Sequence, residues 1–174
     1  MRMNVIIMLS LLVLSGQQAF AADLPNRSVT PGVADSRVTQ GNLRSTICSY
    51  TKPSWSKSNR PPSSYTSKLK RRQIAQYGYA ETNMRNYEED HLIPISVGGD
   101  PHNPGNLWPE PRNTITEWGA EKKDALEFAM FKAVCKGDIS LAEAQSSFTG
   151  NWIKSYTRYE NTLIRKYHFR GGAD

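Results

Sequence analysis

Between Tyr87 and Glu110 two short extended runs flank a tight reversal, and no other stretch restricts the fold so strongly. His91-Leu92-Ile93-Pro94-Ile95 is apolar and strand-like, and Asn106-Leu107-Trp108-Pro109 forms a second extended piece. Gly98-Gly99-Asp100-Pro101 between them forces the chain to turn. The prolines that follow Trp108 have no backbone N–H and are expected to stop a longer ladder. The layout is a β-hairpin followed by a helix. It carries the carboxylate of Asp90, the imidazole of His91 and the amide of Asn106 toward one cleft.

The rest of the chain sets the context. Arg2, the apolar run Val5 to Leu14 and the small-x-small triplet Ala19-Phe20-Ala21 form the three-part pattern of a secretory signal peptide over residues 1–21. The run is too short to span a bilayer, so no integral membrane association is expected after cleavage. Export leads to the periplasm or the medium. In an oxidising compartment the two cysteines, Cys48 and Cys135, are expected to pair. Two cysteines are too few for a disulfide-dense miniprotein or a cysteine-ligated zinc finger. The formal charge of +6 over 174 residues suits an anionic partner.

Residues 22–44 are rich in Ser, Thr, Pro, Gly and Asn with no apolar period, which predicts a flexible leader. A single domain is expected over residues 45–170. Thr46 to Tyr50 reads as a short strand, and Lys52 to Tyr65, with three prolines, as a loop. Ser67 can cap a helix from Lys68 to Tyr77 that Gly78 ends. Glu117 to Lys136 is the strongest helical period, with Leu126, Met130, Ala133 and Val134 on one face. Ser140 to Glu143 fits a capping box. Beyond Asn151, Trp152, Tyr156, Tyr159, Leu163 and Tyr167 form one helical stripe, read as core. The chain is therefore expected to be α+β and mostly helical, with an irregular N-terminal segment and additional C-terminal helices.

Asp90, His91 and Asn106 are the groups that phosphodiester hydrolysis needs. A neutral imidazole takes a proton from water, a carboxylate holds a hard cation, and an amide holds a loop in place. In order and spacing, Asp90-His91, Leu92-Ile93-Pro94, Gly98-Gly99 and Asn106-Leu107 resemble the HNH endonuclease motif, the ββα-metal fold. Thr46-Ile47-Cys48, residues 60–65, Leu69 to Arg72, residues 106–111, Lys123-Asp124 and residues 141–145 extend the resemblance to an exported bacterial subfamily over roughly residues 45 to 156.

The resemblance implies a secreted or periplasmic, metal-dependent endonuclease of low sequence specificity, monomeric, acting on nucleic acid, with DNA expected before RNA and RNA left open. His91 would be the general base, Asp90 the first metal ligand, and Asn106 the group that orients His91. Classical members place a second histidine on the helix. Here Asn113 stands nearest that place, with Glu117 four residues on as a companion ligand. Asp124 is a further oxygen donor. Such an oxygen-only set implies Mg²⁺ or Mn²⁺ before Zn²⁺. The carboxylates of residues 88–90 are expected to raise the pKa of His91 in the absence of a cation. Lys68, Lys70, Arg71, Arg72 and Lys123 would contact nucleic-acid phosphates. The alternative is a non-catalytic binder of nucleic acid or an anionic envelope polymer on the same scaffold.

Overall fold

The structure is a computed structural model that describes residues 23–167; the expected signal peptide lies outside the described residues. The fold is α+β. In chain order its main elements are α1 (Trp55–Asn59), α2 (Ser63–Tyr77), β1 (Tyr87–His91), β2 (Leu107–Pro111), α3 (Ala120–Lys136), α4 (Leu141–Thr149) and α5 (Trp152–Tyr159). A π-helical stretch, Glu160–Ile164, and a short helix, Arg165–Tyr167, continue α5.

β1 and β2 pair antiparallel, with Tyr87 opposite Pro111, Glu89 opposite Pro109 and His91 opposite Leu107. The prolines thus lie inside the ladder. Every second residue of a strand directs its N–H away from its partner, so Pro109 and Pro111 lose nothing where they sit. The connection between the strands is longer than a tight hairpin. It holds single 3-10 turns at Ile95–Val97 and Pro104–Asn106.

α3 forms where the 3–4 period predicted it, but starts at Ala120 rather than Glu117. Residues 112–118 remain irregular, and the Asn113 side chain accepts from the Glu121 N–H at 2.9 Å, satisfying one of the free donors of the first turn. Leu126, Ala129, Met130, Ala133 and Val134 are buried on its inner face. Gly137, at φ +81°, ends the helix in the left-handed conformation. Ser140 caps α4 as expected, accepting from Glu143 N–H at 3.1 Å. Trp152 and Tyr159 are buried, and Tyr156 and Leu163 pack partly against the same core, together with Trp108, Phe148 and Leu92.

Three expectations change. Thr46 to Tyr50 forms turns and no strand, following a 3-10 helix at Gln40–Ser45. Within the expected loop, Ser54 caps the short helix α1. α2 begins at Ser63, after Pro61 and Pro62, and not after Ser67. Proline is tolerated at a helix start, where its missing N–H has no intrahelical partner to lose.

The larger correction concerns the flexible leader. Residues 23–44 cross the hairpin connection and bond to it. Gly32 N–H donates to Gly105 O at 2.9 Å, Asp35 N–H to Gly98 O at 2.8 Å, and Asp100 N–H to Val33 O at 2.8 Å. The Thr30 hydroxyl, fully buried, donates to Leu107 O and accepts from Tyr77 Oη. These contacts run mostly through backbone groups, so they need no apolar period and leave none in the sequence.

Cys48 and Cys135 are bonded, tying the segment before α1 to the last turn of α3 across 87 residues of chain. Closing a loop of that length is worth roughly 4–5 kcal/mol on the chain-entropy model. Reduction is expected to lower the unfolding free energy by about that amount, read as a fall in the urea midpoint with and without reductant.

Candidate functional site

Alternation along β1 sends Glu88 and Asp90 to one side of the ladder and Tyr87, Glu89 and His91 to the other. On the first side the cross-strand register places Trp108 opposite Asp90 and Glu110 opposite Glu88. Asp90 and Glu110 are therefore diagonal neighbours on one face. α3 directs Lys123 at both of them. The Lys123 ammonium is hydrogen-bonded to Asp90 Oδ2, donates to the His91 carbonyl at 3.0 Å and lies 3.8 Å from Glu110 Oε2. Lys123 is fully buried.

The electrostatics follow from that burial. Desolvation pulls a lysine pKa down, but Asp90, Glu110 and Glu127 more than reverse it, so Lys123 stays charged. Burial pushes the Asp90 carboxyl up and Lys123 pulls it down further, leaving it well below the ordinary carboxylate range. Burial pushes the Glu110 carboxyl well above the ordinary range, against the pull of Lys123. Burial, then Asp90, raises Asp124 to about 7. Asp124 lines an open cavity of about 320 Å³ with Glu88, Arg112, Asn113, Thr114, Ala120 and Glu121. Glu127, one helical turn beyond Lys123, accepts from the Ser96 hydroxyl at 2.8 Å.

His91 is 5% exposed, and its Nε2 lies 3.0 Å from the Pro101 carbonyl. A carbonyl only accepts, so Nε2 carries the proton and Nδ1 of the neutral ring is the free base. Burial lowers the His91 pKa below 6.5. The expected rise does not occur, because desolvation outweighs Asp90, whose charge Lys123 already balances.

Asn106 does not touch the imidazole. Its Oδ1 accepts from Ile93 N–H at 2.9 Å and Val33 N–H at 3.2 Å, and its Nδ2 donates to Ile93 O and Asp100 O, each at 2.9 Å. It holds the two ends of the connection together, and the carbonyl next to Asp100 receives His91. The contacts of Asn106 are thus with the loop and not with the imidazole it was expected to orient. Gly99 is needed where this side chain passes: a Cβ there would stand 1.7 Å from Ile93 O and 2.9 Å from Asn106 Nδ2.

The expected metal ligands do not converge. Asp90 holds the Lys123 ammonium, Asn113 holds the start of α3, and Glu117 is exposed and paired with Lys122 at 3.2 Å. Among the described residues no three His, Cys, Asp or Glu side chains are placed to hold a metal ion. As a set, Asp90, Asn113 and Glu117 do not fit a divalent cation. Of the basic residues, Lys68, Arg71 and Arg72 are exposed on α2. Lys70 is turned inward, donating to Met84 O at 3.0 Å and Tyr87 O at 2.9 Å. Lys123 cannot meet a phosphate, since it has no exposed surface.

Sequence reasoning missed Glu110 and Glu127 as members of this cluster. The available signals were the alternation of β2, which puts Glu110 on the face of Asp90, and the i,i+4 spacing of Lys123 and Glu127. No family model, curated protein or solved structure matches the chain.

Asn106→Ala removes four hydrogen bonds and strands buried backbone groups. The expected loss is about 3–5 kcal/mol of stability, measured by urea unfolding. In the same variant the His91 pKa, followed by NMR of its ring protons, is expected to move up toward 6.5.

Proposed function

We propose that this chain is an exported phosphodiesterase, an endonuclease of HNH-like ββα design, in which His91 activates water. The observation that carries the reading is the hydrogen bond from His91 Nε2 to the Pro101 carbonyl in a buried setting. It fixes the tautomer, leaves Nδ1 as the acceptor and keeps the ring neutral at physiological pH. A surface histidine needs none of these features.

The chemistry of this chain's residues is brief. Nδ1 of His91 takes a proton from water as the water oxygen attacks phosphorus. The bond from phosphorus to O3′ breaks, its electron pair leaves with O3′, and O3′ takes a proton from solvent. The products are a 5′-phosphate and a 3′-hydroxyl. Asp90 and Lys123, paired on the opposite side of the ladder, hold the strand that carries the imidazole, since Lys123 also donates to the His91 carbonyl. Asn106 and Pro101 keep the ring from turning. Lys68, Arg71 and Arg72 on exposed α2 suit phosphate contacts, which give affinity without sequence information. DNA is the expected substrate rather than RNA.

A second reading, a non-catalytic binder on the same scaffold, draws support from the near-complete cover over His91 and from the ammonium on Asp90. The two readings part on one variant. His91→Ala is expected to lower plasmid cleavage by about 10²–10⁴-fold while leaving DNA retention in a gel unchanged. Wild-type protein that retains DNA but leaves it intact would establish the binder.

The pH profile provides a separate check. Only the neutral ring accepts a proton, and its pKa is lowered from 6.5. Cleavage is therefore expected to rise with pH and level off, with a midpoint below 6.5. A midpoint above 6.5 would contradict a buried neutral base.

A further inference from the structure

The site contains a cation of its own. Lys123 reaches Asp90 from α3 with no exposed surface, and the three oxygens nearest its ammonium come from Asp90, the His91 backbone and Glu110. The ammonium thus occupies the side of Asp90 Oδ2 that a hard divalent ion would compete for. An ammonium has three N–H donors and no acceptor; Asp90 Oδ2 and the His91 carbonyl take two of them, and Glu110 Oε2, at 3.8 Å, lies beyond hydrogen-bond reach.

We infer that Lys123 is the resident cation of the Asp90–His91 centre and that Asp90 takes up no divalent metal. Three observations support this. The charge balance is already met, since the Lys123–Asp90 pair is neutral as a unit. The lysine stem is enclosed, with the ammonium 5.6 Å from the Phe148 ring centroid and α3 held on both sides by buried Ala120 and Leu126. A metal ion on Asp90 would strand a buried ammonium without its partner, which costs more than an ordinary surface displacement. Finally, a divalent ion asks for about six oxygen ligands. Of the other donors expected for it, Asn113 and Glu117 serve the start of α3 and Lys122, which leaves Asp124, lining the open cavity with Glu88.

Lys123 is thus a positioning residue. It joins the end of β1 to α3 and keeps Asp90 ionised beside His91. The consequence for catalysis rests on the nuclease reading above; the binding chemistry of Asp90 stands apart from it. If both hold, cleavage continues in excess chelator.

The test uses the oxidised mature chain and two readouts that do not depend on hydrolysis. Mn²⁺ uptake is measured by the loss of the free-ion EPR signal, for wild type and for Asp90→Asn. The Lys123 ammonium is followed by ¹⁵N NMR during a Mg²⁺ titration, and assigned by its absence in Lys123→Met. The expected result is identical uptake by wild type and Asp90→Asn up to millimolar Mn²⁺, with a protected ammonium resonance that Mg²⁺ does not move. Mn²⁺ uptake that Asp90→Asn abolishes would overturn the inference. So would an ammonium resonance that is missing, or that Mg²⁺ shifts. If Lys123→Met fails to fold, assignment by selective lysine labelling replaces it and the criteria stand. A protein that meets these criteria but cleaves nothing would sink the nuclease reading alone.

Discussion

A single buried positive charge organises this molecule. Removing an ammonium from water is costly unless oxygens replace the solvent, and Lys123 finds them on Asp90, Glu110 and the His91 carbonyl. That requirement sets how α3 lies against the hairpin, because both strands contribute an oxygen. It also sets the charge states around it. Asp90 stays ionised next to the ammonium, while burial pushes the Glu110 carboxyl up, since one positive charge does not serve two carboxylates in a dry site. His91 follows in the chain and needs no proton to balance Asp90.

The second constraint is the connection between the strands. A connection of this length would ordinarily be mobile, but Leu92, Ile93 and Val97 anchor its first half in the core. Here Asn106 bonds to Ile93, Val33 and Asp100, and residues 23–44 bond across the turn from outside. The two Gly-Gly positions serve different needs. Gly98 adopts φ +80°, and Gly99 leaves room for the approach of Ile93 O and the Asn106 amide. The Pro101 carbonyl is thereby held still, and the orientation of His91 depends on it.

Much of this was legible in the residues. Helix α3, the capping serine of α4, the aromatic stripe, the hairpin around Gly98-Gly99 and the Cys48–Cys135 pair all follow from short-range periodicity, capping and redox logic. The packed N-terminal segment was not, because backbone-to-backbone bonds leave no mark on side-chain pattern. Lys123 looked like a phosphate contact because a lysine on a helix is usually solvated. Its burial depends on which face of α3 the hairpin covers, and that lies beyond any local window.

By itself, the sequence determined the local elements and the proximity of Asp90, His91 and Asn106, since neighbours in the chain and turn chemistry act over a few residues. Only the tertiary structure decided how these groups work together. It turned Asn106 away from the imidazole and into the loop, lowered the pKa of His91 where the nearby acidic residues suggested a rise, and placed an ammonium on Asp90. The physical reason is common to all three. Burial and the partner across the fold set the cost of a charge, and both are properties of packing between segments distant in the chain.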